Sequence, residues 1–231
     1  MAARKKNFQS SIDFPDPRDA MIEGVLAVGG LLDEGTLYTA YSKGIFPWPH
    51  PEYPLLWFSP EKRGIIEFKD LHLSRSFERF LRRHDQEFKV TMDMAFPQVI
   101  RECSKQPRPG QDGTWILPSM LKSYIDFHKA GYAHSIEVWL DNQLVGGIYG
   151  VFIKGVFSGE SMFYKTPNAS KLALYHLIQI LKSWGLEWMD IQMVTPLSES
   201  FGGKYLERED FLAKLQRTQD ENENAVFPWP S

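Results

Sequence analysis

Residues 134–193 constrain the fold more than any other stretch of the chain. They read "HSIEVWL", turn "DNQ", "LVGGIYGVFI", turn "KG", then "VFSGESMF": three apolar or alternating runs of strand length joined by two short turns. Turns this short dictate antiparallel pairing, because a parallel return needs a crossover of a dozen residues or more. Asn168 then stands as a cap before Leu174, Leu177, Ile178 and Leu181 at helical core spacing, and after Gly185 the run "LEWMDIQMV" returns to strand. A meander, a covering helix and a returning strand make an α+β layer.

One residue of this layer is out of place. Glu160 sits among Val156, Phe157, Met162 and Phe163, and a buried carboxylate needs paired neighbours, access to water, or a use for its charge. On "LEWMDIQMV", Asp190 and Gln192 are two apart and share one sheet face, while Met189, Ile191 and Met193 take the other. With this strand beside "GVFSGESMF", Glu160, Asp190 and Gln192 converge at the end of the sheet. Such a cluster is either a functional site or a structural hydrogen-bond network, and pattern alone leaves both readings open.

Upstream, residues 33–42 read as a helix capped by Asp33 and stopped by Gly44; the prolines of "GIFPWPHPEYPLLWFSP" predict a rigid aromatic loop without long regular structure. "SRSFERFLRRH" is an amphipathic helix with Phe77, Phe80 and Leu81 on one face and Arg75, Arg79, Arg82 and Arg83 on another. A strand over 88–92, a helix over 96–104, the loop "KQPRPGQDGTWI" and a helix over 118–130 ending at Gly131 follow. A last helix over 207–215 precedes a tail rich in Asp, Glu, Asn and Pro, which has no assignment.

With 231 residues, 43% of them hydrophobic, the chain can bury a substantial core, as one large domain or a small one joined to a larger one. A net charge of -3 argues against a uniformly basic nucleic-acid coat and leaves room for a local basic face. The single cysteine, Cys103, rules out an intrachain disulfide framework, and a cytoplasmic location is the expectation. Residues 7–13 lack a signal peptide's apolar core and the run 24–32 is too short to span a bilayer, so no membrane partner is expected. The six histidines show no ligand spacing, which predicts no metal; His134 reads as a structural hydrogen-bonding residue.

The segments "GLLDEGTLYTAYSKGIFPWPHPEYPLLWFSPEKRG", "LHLSRSFERFLRR", "GTWI", "AHSIEVW", "LVGGIYG", "GESMF", "NASKLAL" and "DIQ" occur together, across residues 14–215. In order and spacing the chain resembles the leucyl/phenylalanyl-tRNA–protein transferase family. The resemblance implies a small N-terminal domain (1–70) joined to an acetyltransferase-like (GNAT) domain (71–231) with a mixed, mostly antiparallel sheet. It also implies transfer of leucine or phenylalanine, less often methionine, from Leu-tRNA, Phe-tRNA or Met-tRNA to the α-amine of proteins with N-terminal Arg or Lys. Such transfer marks the acceptor for degradation through the N-degron route; aminoacyl-tRNA is a co-substrate and no cofactor is implied.

Residue by residue, the resemblance assigns Asp190 and Gln192 to a catalytic Asp-x-Gln and Glu160 to an acidic residue near the reaction centre. Ile148, Gly159, Leu174, Leu177 and Leu181 match the donor aminoacyl pocket, where bulky aromatics often replace these leucines. Trp48 and Trp115 match aromatic contacts to the 3′ adenosine, with Tyr41 a third candidate, and Arg75, Arg79, Arg82 and Arg83 match a tRNA-contacting cluster. Leu31, Tyr164, Thr195 and Pro196 depart from the usual pattern and bear on acceptor fine specificity. Three rivals stand beside this reading. An acyl-CoA N-acetyltransferase needs a Gly-rich loop that "YKTPNASK" lacks; a tRNA-binding module without catalysis needs a purely structural polar cluster; a transferase selecting acidic N-termini fits an acidic site poorly.

Overall fold

A computed structural model of the chain describes residues 9–21, 23–50, 53–106 and 116–227. In chain order the elements are β1 (Val25–Val28), α1 (Glu34–Ser42), β2 (Phe46–His50), β3 (Tyr53–Phe58), β4 (Lys62–Glu67), α2 (Arg75–His84), β5 (Lys89–Met92), α3 (Phe96–Cys103) and α4 (Pro118–Lys129). The meander β6 (Ala133–Leu140), β7 (Gln143–Ile153) and β8 (Val156–Tyr164) is followed by α5 (Ala169–Ser183), β9 (Trp188–Gln192), α6 (Pro196–Glu199), β10 (Lys204–Glu207) and α7 (Arg208–Glu221).

The strands form a three-stranded sheet, β1-β3-β2, and a seven-stranded sheet, β10-β4-β9-β8-β7-β6-β5. The large sheet is mixed and mostly antiparallel, as expected: only β8 and β9 run parallel, with a single paired position, Ser158 with Asp190. Beyond that position the two strands part, since β8 continues for six residues and β9 for two with no further pairing. Backbone groups left open where a ladder stops must find other partners, which makes this gap a natural place for polar side chains.

The division expected at residue 70 falls one strand late. β4 pairs with β9 and β10 and so belongs to the larger sheet, leaving only β1–β3 to the small one. The expected aromatic loop is also a hairpin, β2–β3, in which Pro47 lies opposite Trp57. The prolines are tolerated because β2 is an edge strand, whose outward side has no ladder to lose. Asn168 precedes α5 in a left-handed conformation (φ 68°) with no side-chain cap bond, so its contribution is conformational. The last helix runs to Glu221, and the tail beyond it returns to the core, stacking Phe227 on His134 at 4.0 Å between ring centroids.

The large sheet has two unlike faces. On one, the leucine face, Ile148 and Met189 pack with Leu174, Leu177 and Leu181 of α5, Phe77 of α2 and Phe201. On the other, the tyrosine face, Tyr149 packs with Tyr41 of α1, Phe96 of α3, Tyr124 of α4 and Phe46 and Trp57 of the small sheet.

Candidate active site

Glu160 owes its direction to a β-bulge. Tyr149 pairs with Ser161 and Gly150 with Gly159, so Glu160 is the extra residue on β8, freed from strict alternation. It turns to the tyrosine face, where the Tyr41 hydroxyl donates to its Oε1 at 2.7 Å and the Tyr124 hydroxyl makes a long contact to Oε2 at 3.4 Å. The two tyrosine hydroxyls are 2.5 Å apart. Across the gap between β8 and β9, Gln192 Nε2 donates to the same Oε1 at 2.6 Å. Glu160 as a whole residue is half-buried.

Asp190, on β9, is buried and bound by both prongs of Arg63: Nε to Oδ1 at 2.8 Å and Nη2 to Oδ2 at 2.7 Å. Asp190 Oδ1 also accepts the backbone N–H of Gln192 at 2.8 Å. Gln192 itself has φ 60°, and the Met193 N–H reaches back to the Ile191 carbonyl at 2.6 Å, closing a tight three-residue turn. The neighbouring strand makes room with Gly64, where a Cβ would lie 2.9 Å from the Met193 carbonyl carbon. A hydrogen-bonded chain thus runs Arg63–Asp190–Gln192–Glu160–Tyr41–Tyr124, drawn from β4, β9, β8, α1 and α4.

Burial pushes the Glu160 carboxyl up to about 7; the Tyr41 hydrogen bond opposes the rise, the charge of Asp190 adds to it, and the Gln192 bond and the Arg63 charge oppose it. Both tyrosines are held well above their ordinary range, first by burial and then by the negative charge of Glu160. They are donors here, not bases. The arrangement therefore supplies a proton acceptor poised near neutrality, an oriented amide and an opening between two strands.

Glu160, Asp190 and Gln192 are thus brought together as the strand pattern suggested. Tyr41 joins them, which corrects its expected role as a stacking surface: it is 4% exposed and its hydroxyl is committed to Glu160. Trp48 is half-buried on β2, on the face shared with Phe46, and touches Phe58 edge-on. Trp115 lies outside the described residues. Ile148, Leu174, Leu177 and Leu181 are fully buried on the leucine face, behind the sheet from Glu160. Gly159 connects the two faces: it is half-buried beside Glu160, and a Cβ there would meet Met189 Cε, part of the leucine-face cluster, at 3.3 Å. Arg75, Arg79, Arg82 and Arg83 lie on α2, whose Phe77 packs into the leucine face, and all four are exposed.

Arg63 and Tyr124 escape a reading of the sequence. Each had a faint signal: Arg63 alternates with the buried Ile65 in "EKRGII", and Tyr124 shares i, i+4, i+7 spacing with Met120 and Phe127. Sequence spacing also hid a cluster of Asp93, His128 and His134, whose ligand atoms lie within 4.8 Å of one another. Their geometry is that of hydrogen bonds: His134 Nδ1 faces Asp93 Oδ2 at 2.7 Å, and His128 Nδ1 faces the Ala133 carbonyl at 2.7 Å. His134 is the structural residue the sequence suggested. Two surface clefts, of about 840 Å³ beside α7 and about 560 Å³ beside α3, contain none of the Glu160 chain.

Comparison with known proteins finds relatives along nearly the whole chain. The family profile described as leucyl/phenylalanyl-tRNA protein transferase matches residues 65–216, and that of the family's N-terminal domain matches residues 30–61. The chain is 45% identical over 209 residues to the leucyl/phenylalanyl-tRNA–protein transferase of Anaeromyxobacter sp. (strain Fw109-5), covering 90% of this chain and 88% of that protein. It is 46% identical over 218 residues to the protein of the same name from Hydrogenovibrio crunogenus, covering 94% and 84%. Among solved structures, a GCN5-related N-acetyltransferase-like protein from Streptococcus suis matches at 15% identity and a TM-score of 0.35, over 64% of this chain and 60% of that one.

Proposed function

Because the chain belongs to the leucyl/phenylalanyl-tRNA–protein transferase family, a family of aminoacyltransferases, we propose that it moves leucine or phenylalanine, and less readily methionine, from aminoacyl-tRNA to the α-amine of proteins beginning with Arg or Lys. The observation that carries this reading is Glu160: a carboxylate tuned near neutrality, held from one side by Gln192 and Tyr41, at the parting of β8 and β9.

The donor is an activated ester and the acceptor amine has an ordinary pKa of about 8, so the protein needs to bring the two together and manage the two protons that leave the acceptor nitrogen. Glu160 takes a proton from the acceptor's ammonium group. Glu160 passes that proton to solvent; the freed amine nitrogen attacks the ester carbonyl carbon, the C–N bond forms, and Glu160 takes the second proton from the adduct's nitrogen and gives it to the ribose oxygen as collapse of the tetrahedral adduct breaks the C–O bond. Gln192 donates its amide N–H to Glu160, leaving its own carbonyl to accept from the attacking amine; Asp190 orients Gln192 through the backbone. No cofactor is needed, because the acyl group arrives activated.

The buried apolar cluster of Ile148, Leu174, Leu177 and Leu181, with Gly159 beside it, is assigned to the donor side chain: an apolar lining without polar groups would accept Leu, Phe and Met alike. Trp48 is assigned to stacking on the terminal adenosine, with Trp115, and the α2 arginines to phosphates of the acceptor stem. The negative charge of ionised Glu160 favours cationic acceptors, and release of the product into an N-degron route in the cytoplasm follows from that specificity. No helix among the described residues is long and apolar enough to cross a membrane.

The test is direct. Purified protein is given labelled Leu-, Phe- or Met-tRNA and peptides that differ only in an N-terminal Arg, Lys, Asp, Glu or Ala. Transfer from Leu- and Phe-tRNA to the Arg and Lys peptides is the expected result; preferential labelling of Asp and Glu peptides would replace the acceptor assignment.

A further inference from the structure

We propose that Arg63 is a positioning residue of the transfer reaction, acting through Asp190 to hold the Gln192 turn, and with it the Gln192 amide, against Glu160. The inference rests on the roles given above to Gln192 and Glu160.

Arg63 is 1% exposed, and its guanidinium lies between two aromatic rings, 4.4 Å from the Phe46 centroid and 4.8 Å from that of Phe211. These rings come from β2 of the small sheet and from α7, so the small sheet and the C-terminal helix clamp one side chain of β4. Two of its nitrogens grip Asp190, which in turn accepts the backbone N–H of Gln192. That backbone needs a grip. A residue other than glycine at φ 60° in so tight a turn is costly and persists only where its surroundings over-determine it.

Stability alone is a poor explanation for this arrangement. Replacing a buried ion pair by apolar residues of similar volume is often neutral or stabilising. Arg63 moreover leaves its Nη1 buried without a hydrogen-bond partner among the described residues, a further cost. What an apolar pair could not provide is a bidentate, planar lock on the Asp190 carboxylate, with its second acceptance from Gln192. The fork geometry, rather than the charge alone, is what reaches the reacting amide.

The charged and titratable groups that bear on Glu160 are Tyr41 of α1, Tyr124 of α4, Arg63 of β4 and Asp190 of β9. Removing the Arg63 charge leaves that of Asp190 uncompensated, so the acid limb of the rate profile moves to higher pH.

The experiment uses the full chain with Leu-tRNA and an Arg-initiated peptide, and compares Arg63→Met, Arg63→Lys, Arg63→Met/Asp190→Leu and Gln192→Ala with the wild type. In Arg63→Met, kcat falls about 100-fold with KM for Leu-tRNA nearly unchanged, as for a reacting group displaced by about 1 Å. Arg63→Lys, which keeps the charge and loses the fork, restores the acid limb but little of kcat. The double variant melts higher than Arg63→Met, because no lone charge is left buried, and yet remains slow. Recovery of kcat together with melting temperature, or a loss confined to KM, overturns the proposal; should Arg63→Met fail to fold, the lysine and double variants separate the same outcomes. Wild-type turnover in Gln192→Ala would instead overturn the reading of the site on which the inference rests.

Discussion

Glu137 on β6 and Glu160 on β8 are carboxylates of the same sheet, both raised by burial above the ordinary range, and their surroundings differ in one respect. Glu137 is saturated: it accepts from the Thr91 and Ser135 hydroxyls, at 2.5 Å each, and at 3.4 Å from the backbone N–H groups of Met94 and Ala95. It is wholly buried and ties β5 and the start of α3 to β6. Glu160 has its two short bonds on one oxygen and a long contact on the other, and the residue is only half-buried, where two strands part. Burial and a raised pKa are therefore common to a structural carboxylate and to the one proposed as reactive. Spare hydrogen-bonding capacity on a half-buried residue is what separates them.

The strongest change is expected at Glu160 itself, and the contrast with Glu137 does not survive its failure. Glu160→Gln lowers kcat for peptide transfer by about 10²- to 10⁴-fold, the usual contribution of a positioned acid–base group, with the melting temperature held or raised. Glu137→Gln does the reverse: transfer stays near wild type, while urea unfolding shows a loss of about 1–3 kcal/mol from donors left unpaired. Inactivity of the Glu137 variant with a normal melting curve would put the reaction at the wrong carboxylate.

A more modest change refines the contrast through pH. The ionised Glu160 is the working form, so kcat rises with pH through an apparent pKa of about 7 and the limb vanishes in Glu160→Gln. The same shift has a stability sign. Between the unfolded value near 4.5 and about 7 the folded state holds the extra proton, so this group's contribution to stability declines as pH rises across that window and is level above it. Urea titrations at pH 5 and pH 8 should differ between wild type and Glu160→Gln by on the order of 1–3 kcal/mol, the wild type losing more at pH 8. A limb that survives in the variant would assign the proton to another group.

The weakest change concerns Glu67 of β4, the opposite limit. Hydrogen bonds from Lys204 first, and Lys214, hold its carboxyl down to about 2 against the opposing effect of burial. Its stabilisation is present above pH 4.5 and is lost as pH falls through about 2. Glu67→Gln should cost about 1 kcal/mol at neutral pH and little at pH 2, with kcat unchanged, and urea unfolding at the two pH values reads the difference.

Much of the fold was legible where the signal is local. Asp33 caps α1 by accepting the Thr36 N–H at 2.8 Å, Ser74 caps α2, and the meander follows its two turns. The elements that escaped lack local advertisement. Proline in "FPWPH" conceals β2 until it is known to be an edge strand, and the short β1, β4 and β10 become strands only by pairing with segments remote in the chain. At the site, alternation placed Asp190 and Gln192 on one face, whereas the bulge that redirects Glu160 is a register slip between β7 and β8 that neither strand shows by itself.

The family could be read from the resemblance of whole segments, and the α+β layering and the three polar residues at the parting of the sheet from periodicity and turn chemistry, which act over a few positions. What surrounds those residues was decided by folding. The partners of Glu160 and Asp190 come from positions 41, 63, 124 and 192, and the desolvation that tunes Glu160 depends on every group packed around it, however distant in the chain.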